Sequence, residues 1–220
     1  MSAGRMIPRF DLLLVQALIG YLCGALPWGL WLGRWFKGVD VRTLGSGNLG
    51  ATNVYRTLGP GLGVATLLLD ALKGALPVLL VPPRFMGTLD STGLELGRVA
   101  AGLGAVLGHM WTFLAAFKGG KGVATTAGVL LALSPASFGI FLGVFVVTVA
   151  LTRYISLGST LGAVAFAVAL ARLQPGRTLS PTFWLGGGLA ALIVWRHRGN
   201  YRRLLRGEER KFSFRARPAA

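Results

Sequence analysis

Apolar runs of close to twenty residues recur along this chain, and nothing else in the sequence limits its fold so strongly. A helix of about 20 apolar residues crosses a hydrocarbon core of about 30 Å. Candidate spans run from Phe10 to Trp35, Leu58 to Val81, Leu94 to Phe117, Ala136 to Leu151, Leu157 to Leu173 and Phe183 to Trp195. Val123 to Leu133 is equally apolar but short, and Ser134-Pro135 after it reads as a turn, because proline disfavours helix at the residue before it. The first run is too long for the apolar part of a cleavable signal peptide, which is about 7–15 residues. The expected fold is therefore an all-α integral membrane protein with about seven transmembrane helices, or five if the short runs are re-entrant or interfacial. It forms one polytopic domain over residues 1–220, with 211–220 as a flexible tail.

Composition removes the alternatives. The chain is 53% hydrophobic and only 14% charged, against about 25% charged in soluble domains. Such apolar content excludes disorder, and the single Cys23 excludes a disulfide scaffold. The charge is lopsided, 23 Lys and Arg against 7 Asp and Glu. A nucleic-acid binder would explain the charge but not the missing polar surface. A membrane protein with its positive residues gathered on one side explains both. With seven spans, sixteen basic residues fall on one side, among them Arg34, Lys37, Arg42, Arg56, Lys118, Lys121, Arg153 and all those after Trp195. Six fall on the other: Arg5, Arg9, Arg84, Arg98, Arg172 and Arg177. That bias places the N-terminus outside and the C-terminus in the cytoplasm.

Three polar stretches share the inferred cytoplasmic side. Leu44 to Arg56 combines glycines with Ser46, Asn48, Thr52, Asn53 and Arg56 and then enters a helix. Such a loop holds an anion by backbone N–H groups and helix dipole. Phe117 to Thr126 places Lys118 and Lys121 among Gly119, Gly120 and Gly122 ahead of another helix, which suits phosphate. It is not a Walker A loop, because Gly122 follows Lys121 and Ala115 stands at the first glycine position. The basic tail from Arg196 reads first as an anchor for anionic lipid headgroups; His197 and Asn200 are the residues such an anchor does not need. Within the spans, Asp70 and Lys73 stand i,i+3 on one helix face and can neutralise each other, a structural role for Asp70 that leaves Lys73 open. His109 ends the third span and is read either as a packed histidine or as a base or orienting donor. No cluster of metal ligands and no G-x-S-x-G elbow occurs.

Five ordered blocks carry a resemblance: GSGNLGATNVYR (45–56), LDALKGALPV (69–78), GHMWTFLAAFKGGKGVAT (108–125), RYISLGS (153–159) and RHRGNYRRLLRGEE (196–209). Together they resemble the bacterial acyl-phosphate:glycerol-3-phosphate acyltransferases of the PlsY type. In two places the chain departs from that family's pattern, with Leu49 and Thr112 where prolines are usual; both positions shape backbone more than they meet substrate. The H-x-x-x-x-D motif of the other glycerolipid acyltransferases is absent, since Leu114 and Arg202 stand where its Asp would follow His109 and His197.

The resemblance implies a multi-pass enzyme of the bacterial inner membrane with its active site on the cytoplasmic side. Its substrates are acyl phosphate and glycerol 3-phosphate, its surroundings membrane lipid, and it uses no cofactor, metal or nucleic acid. Acyl phosphate is already an activated mixed anhydride, so the tasks are alignment and charge stabilisation rather than covalent catalysis. On this reading Ser46, Arg56 and Lys121 hold the glycerol 3-phosphate phosphate. Lys118 and the backbone of Gly119, Gly120 and Gly122 cradle the acyl-phosphate group, with Thr52 a further donor. Asn48, Asn53, Ser156, His197 and Asn200 orient the glycerol hydroxyls and the carbonyl. The hydroxyl proton passes to His197, to His109 or to a phosphate oxygen of the donor. A transporter of a phosphorylated solute is the competing reading; against it, the polar blocks lie on one face only.

Overall fold

A computed structural model of the chain describes residues 10–86, 91–173 and 180–213, with side chains described to Pro82 in the first stretch. The expected tail residues 214–220, the charge-count residues Arg5, Arg9 and Arg177, and the Arg84 side chain lie outside the described residues. The described residues form ten α-helices: α1 (Phe10–Gly24), α2 (Trp28–Lys37), α3 (Ala51–Leu58), α4 (Pro60–Met86), α5 (Ser91–Met110), α6 (Val123–Leu133), α7 (Pro135–Thr152), α8 (Ile155–Leu173), α9 (Pro181–Arg196) and α10 (Arg198–Leu205). Among the described residues, four stretches are long and apolar enough to cross a membrane: Phe10–Lys37, Pro60–Pro82, Pro135–Thr152 and Ile155–Leu173.

The first of these is not one helix. Proline has no N–H to donate and restricts the residue before it, and the chain breaks between Gly24 and Trp28. The third expected span also stops early, at Met110 rather than Phe117. Thr112, standing where the family has proline, makes the exit instead. Its hydroxyl donates to the Ala25 carbonyl at 2.5 Å and accepts the Leu114 N–H at 3.2 Å.

α5 is the central helix, packed on α1, α4, α6 and α9. Its contact with α1 uses a Gly-x-x-x-Gly spacing on both sides, Gly20 and Gly24 on α1 and Gly104 and Gly108 on α5. Small residues let helix backbones touch where no water drives them together. A Cβ at Gly108 would lie 2.1 Å from the Tyr21 carbonyl oxygen. Gly108→Ala is expected to force the helices apart and cost about 1–3 kcal/mol, read as a lowered melting temperature in detergent. Gly143→Ala, where an added Cβ meets no atom within 4 Å, is the matched control and should change little.

Candidate active site

The glycine- and asparagine-rich loop before α3 is shaped from within by Asn53. This residue is 4% exposed, and its Nδ2 donates to the carbonyls of Val41, Leu44 and Asn48 at 3.2, 3.1 and 2.9 Å. Its Oδ1 accepts the Ser46 N–H at 2.9 Å. The amide is fully engaged, so Asn53 holds the loop in shape instead of orienting substrate as expected. Asn48 is likewise turned on the backbone, its Oδ1 accepting the Gly50 N–H at 2.8 Å. Gly45 and Gly47 take φ of +60° and +68°, where a side chain is strained. Leu49 fills the family's proline position by burying itself with Leu30, Val41, Val54 and Ala115. What the loop presents outward is exposed Ser46, with half-buried Thr52 and Arg56 following on α3.

The lysine- and glycine-rich loop is docked on the end of α5. The last carbonyls of a helix lack partners within it; here Gly119 N–H donates to Met110 and Gly120 N–H to His109, both at 3.2 Å. These two N–H groups therefore cap a helix and are not available to cradle phosphate, which corrects the expectation for Gly119 and Gly120. Glycine is needed for the docking itself. A Cβ would lie 2.0 Å from the His109 carbonyl oxygen at Gly119 and 2.1 Å from His109 Nε2 at Gly120. Gly122 turns the chain into α6 at φ +82° and packs against Met110. The loop leaves Lys118 exposed and Lys121 half-buried.

Behind this loop lies the ion pair expected from the i,i+3 spacing. Lys73 Nζ is 2.7 Å from Asp70 Oδ1, and both side chains are almost fully buried. His109 joins them, its Nδ1 3.6 Å from Asp70 Oδ1, and Lys73 also donates to the Leu26 carbonyl at 2.7 Å. The network ties α4 and α5 to the break between α1 and α2. The recess that these residues line has a volume of about 10 Å³, room for a single water and not for a phosphate. His109, a candidate base, is thus held in a buried network behind the lysine loop.

Several of the expected site residues meet around Glu209. Lys121 Nζ donates to Asn200 Oδ1 at 2.5 Å, and Asn200 Nδ2 donates to Glu209 Oε1 at 2.6 Å. Ser156, at the start of α8, donates to the same oxygen at 3.0 Å, and Arg203 Nε donates to Oε2 at 2.8 Å. Arg56 Nη2 donates to the Arg210 carbonyl at 2.9 Å. Phe212 N–H donates to the Arg153 carbonyl at 2.6 Å, and its ring stands 5.1 Å from Tyr55. Glu209, Arg210 and Phe212 are therefore tied to the ends of α3, α7 and α8, and half-buried Phe212, within the expected flexible tail, packs on Tyr55 while Lys211 beside it is exposed. Glu209 was missed in the sequence. Its only signal is a carboxylate in a run of arginines, which reads equally well as solvated charge.

Electrostatics follow from this geometry. Burial pushes the Lys121 ammonium down to about 8; Glu209 opposes the shift, and Arg203, Arg196 and Arg56 add to it. Burial would raise the Glu209 carboxyl, but hydrogen bonds from Asn200, Arg203 and Ser156 outweigh it and hold the group below the ordinary carboxyl range. Burial, reinforced by Lys121, lowers His197 to about 4. The neutral ring donates through Nδ1 to the Ile193 carbonyl at 2.8 Å, leaving Nε2 as an acceptor. Arg56, Lys121, Arg196 and Arg203 against Glu209 leave a surplus of positive charge, the complement of a phosphate group.

A helical protein with apolar spans and one cationic, hydrogen-bonding cluster at the helix ends belongs to the class of integral membrane proteins that act on anionic substrates. The comparisons narrow that class. The family description of glycerol-3-phosphate acyltransferase matches residues 14–207. A glycerol-3-phosphate acyltransferase of Geobacter sulfurreducens is 47% identical over 204 residues, covering 90% of this chain and 97% of that protein. One of Myxococcus xanthus is 48% identical over 195 residues, covering 89% and 97%. The crystal structure of PlsY (YgiH), an integral membrane glycerol 3-phosphate acyltransferase, in its glycerol 3-phosphate form superposes with a TM-score of 0.80 at 38% identity, covering 91% of this chain and 96% of that one. The lysophosphatidic acid form gives 0.79 at 37% identity, covering 91% and 95%. This chain belongs to the glycerol-3-phosphate acyltransferase family, and it is a membrane protein.

Proposed function

We propose that this chain transfers a fatty acyl group from acyl phosphate to the first hydroxyl of glycerol 3-phosphate, giving lysophosphatidic acid and phosphate. The reaction takes place on the cytoplasmic face of the bacterial inner membrane, with the N-terminus outside and the basic chain end inside. The observation that carries this reading is the Arg56–Lys121–Asn200–Ser156 cluster around Glu209, built from four separate polar blocks. Arg56, Lys121 and exposed Ser46 bind the phosphate of glycerol 3-phosphate, and Asn200 and Ser156 are held beside them by Glu209. Lys118 and Thr52 meet the phosphate of the donor. Asn48 and Asn53 shape the loop that carries Ser46. Gly119, Gly120 and Gly122 let the lysine loop dock against α5 and His109.

In the transfer, the glycerol oxygen forms a bond to the acyl carbon and the bond from that carbon to the phosphate oxygen breaks. Electrons leave with the phosphate, and cations placed beforehand stabilise that charge. Neutral His197 accepts the hydroxyl hydrogen bond and orients the nucleophile. A base of pKa about 4 holds a proton poorly at neutral pH, so the proton finishes on the departing phosphate.

Lys121 must be charged to bind phosphate, so affinity is present below its pKa and lost as pH rises through it. With Lys121 near 8, kcat/KM for glycerol 3-phosphate is expected to fall on the alkaline side with a midpoint near 8. Lys121→Arg, which stays charged, should lose that limb. A wild-type profile flat to about pH 9.5 would remove Lys121 from the phosphate site.

A further inference from the structure

We propose that Arg196 is a positioning residue for this reaction, acting through the Gly120 carbonyl to set where Lys121 stands. The proposal rests on the function given above and adds to it a side chain that none of the binding steps uses.

The lysine loop is fixed to α5 along one side only, by the Gly119 and Gly120 N–H bonds to Met110 and His109. Those bonds set its height on the helix end but not its distance from the chain end, where Asn200 waits. Arg196, the last residue of α9, supplies the opposite hold: its Nη2 donates to the Gly120 carbonyl at 2.7 Å. Gly120 is thus gripped at its N–H by α5 and at its carbonyl by α9, and the next residue is Lys121.

The guanidinium is itself held. Its central carbon stands 5.6 Å from the Trp111 ring and 5.9 Å from the Trp195 ring, and the two indoles are 6.5 Å apart. Cations are attracted to aromatic faces within about 6 Å, so both indoles lie within reach of the charge. Trp111 follows directly after α5 and Trp195 belongs to α9, so the indole pair joins the helices that the Arg196–Gly120 bond joins. The result is two parallel links between the lysine loop and the α9–α10 corner: Gly120 to Arg196 and Lys121 to Asn200. A guanidinium that donates to a carbonyl carries more charge than packing needs. That charge faces Lys121 along with Arg56, Arg203 and Glu209.

The test uses the full-length protein in detergent, with kcat and KM for glycerol 3-phosphate across pH and thermal denaturation alongside. Arg196→Met is expected to lower kcat/KM at least tenfold in a protein that still folds, with the melting temperature lowered by no more than the loss of one buried hydrogen bond. Because one positive neighbour of Lys121 is gone, the alkaline limb should also move to higher pH, a shift that a merely structural role would not produce. Trp111→Leu, which keeps the arginine but removes one of the two indoles beside it, should lower kcat/KM in the same direction by a smaller factor. It serves as the test if Arg196→Met fails to fold. Unchanged kcat/KM in the variant that folds, or a loss in Arg196→Met with the alkaline limb unmoved, overturns the proposal. Wild-type turnover separates the two readings: an inactive wild type defeats the proposed function, whereas an active wild type with unaffected variants defeats only the role of Arg196.

Discussion

Lys121→Ala is expected to lower kcat/KM for glycerol 3-phosphate by about 10²–10³-fold in a protein that still folds, the loss seen when one charged or oxyanion-binding donor is removed from a closed site. The physical case has three parts. The ammonium is half-buried, so its interaction with a phosphate is screened less than a surface lysine's. It is held by Asn200 at 2.5 Å and so needs little ordering when substrate arrives. It also contributes one of the charges that make the cluster net positive. Its removal costs the fold little, because Asn200 keeps its second bond, to Glu209. Arg56→Ala should behave alike, since that side chain reaches from α3 to the Arg210 carbonyl beside Glu209. Steady-state kinetics with thermal denaturation as control checks both, and near-normal turnover in either would remove that residue from the site.

Glu209→Ala should produce the second large effect, one that reaches stability as well as rate. The carboxylate is 7% exposed and accepts from Ser156, Asn200 and Arg203. Deleting it leaves the hydroxyl of Ser156, 3% exposed, and the amide of Asn200, 7% exposed, without their acceptor. A buried donor left unpaired costs about 1–3 kcal/mol. A loss of about 2–4 kcal/mol is therefore expected, with turnover falling further as Asn200 and Lys121 lose their placement. The pH dependence has a defined sign. The Glu209 carboxyl is held below its ordinary range, so its contribution is present above the unfolded pKa and lost as pH falls through the folded one. Wild-type protein should lose part of its thermal stability on acidification, and Glu209→Ala should lose less. A variant as stable and active as wild type would show that Glu209 is solvated charge and nothing more.

The sequence made some of this legible and hid the rest for physical reasons. Four of the expected spans were readable, because burial in lipid demands continuous apolar runs, and the Asp70–Lys73 pair was readable because i,i+3 residues share a helix face. Ser46, Arg56, Lys118 and Lys121 stood out as polar groups among glycines. What stayed hidden depended on partners far away in the chain. Glu209 meets Ser156 across 53 residues, and nothing local distinguishes it from Glu208 beside it. Gly119 and Gly120 looked like a phosphate cradle because glycine exposes N–H groups, yet the end of α5 had already claimed those donors. Asn53 looked like a substrate ligand, and its four hydrogen bonds to backbone became visible only in the folded loop. The break at Pro27 was concealed inside a run apolar enough for one span. In each case residue type was readable and its partner was not.

Acyl transfer is tested most directly by product analysis with the purified protein, acyl phosphate and glycerol 3-phosphate, following phosphate and lipid together. Lysophosphatidic acid acylated at the first hydroxyl and phosphate are expected in equal amounts, formed only when both substrates are present and reduced by about 10²–10³-fold in Arg56→Ala and Lys121→Ala. Phosphate release without acylated product, or product formation undiminished in those two variants, would contradict the proposed function.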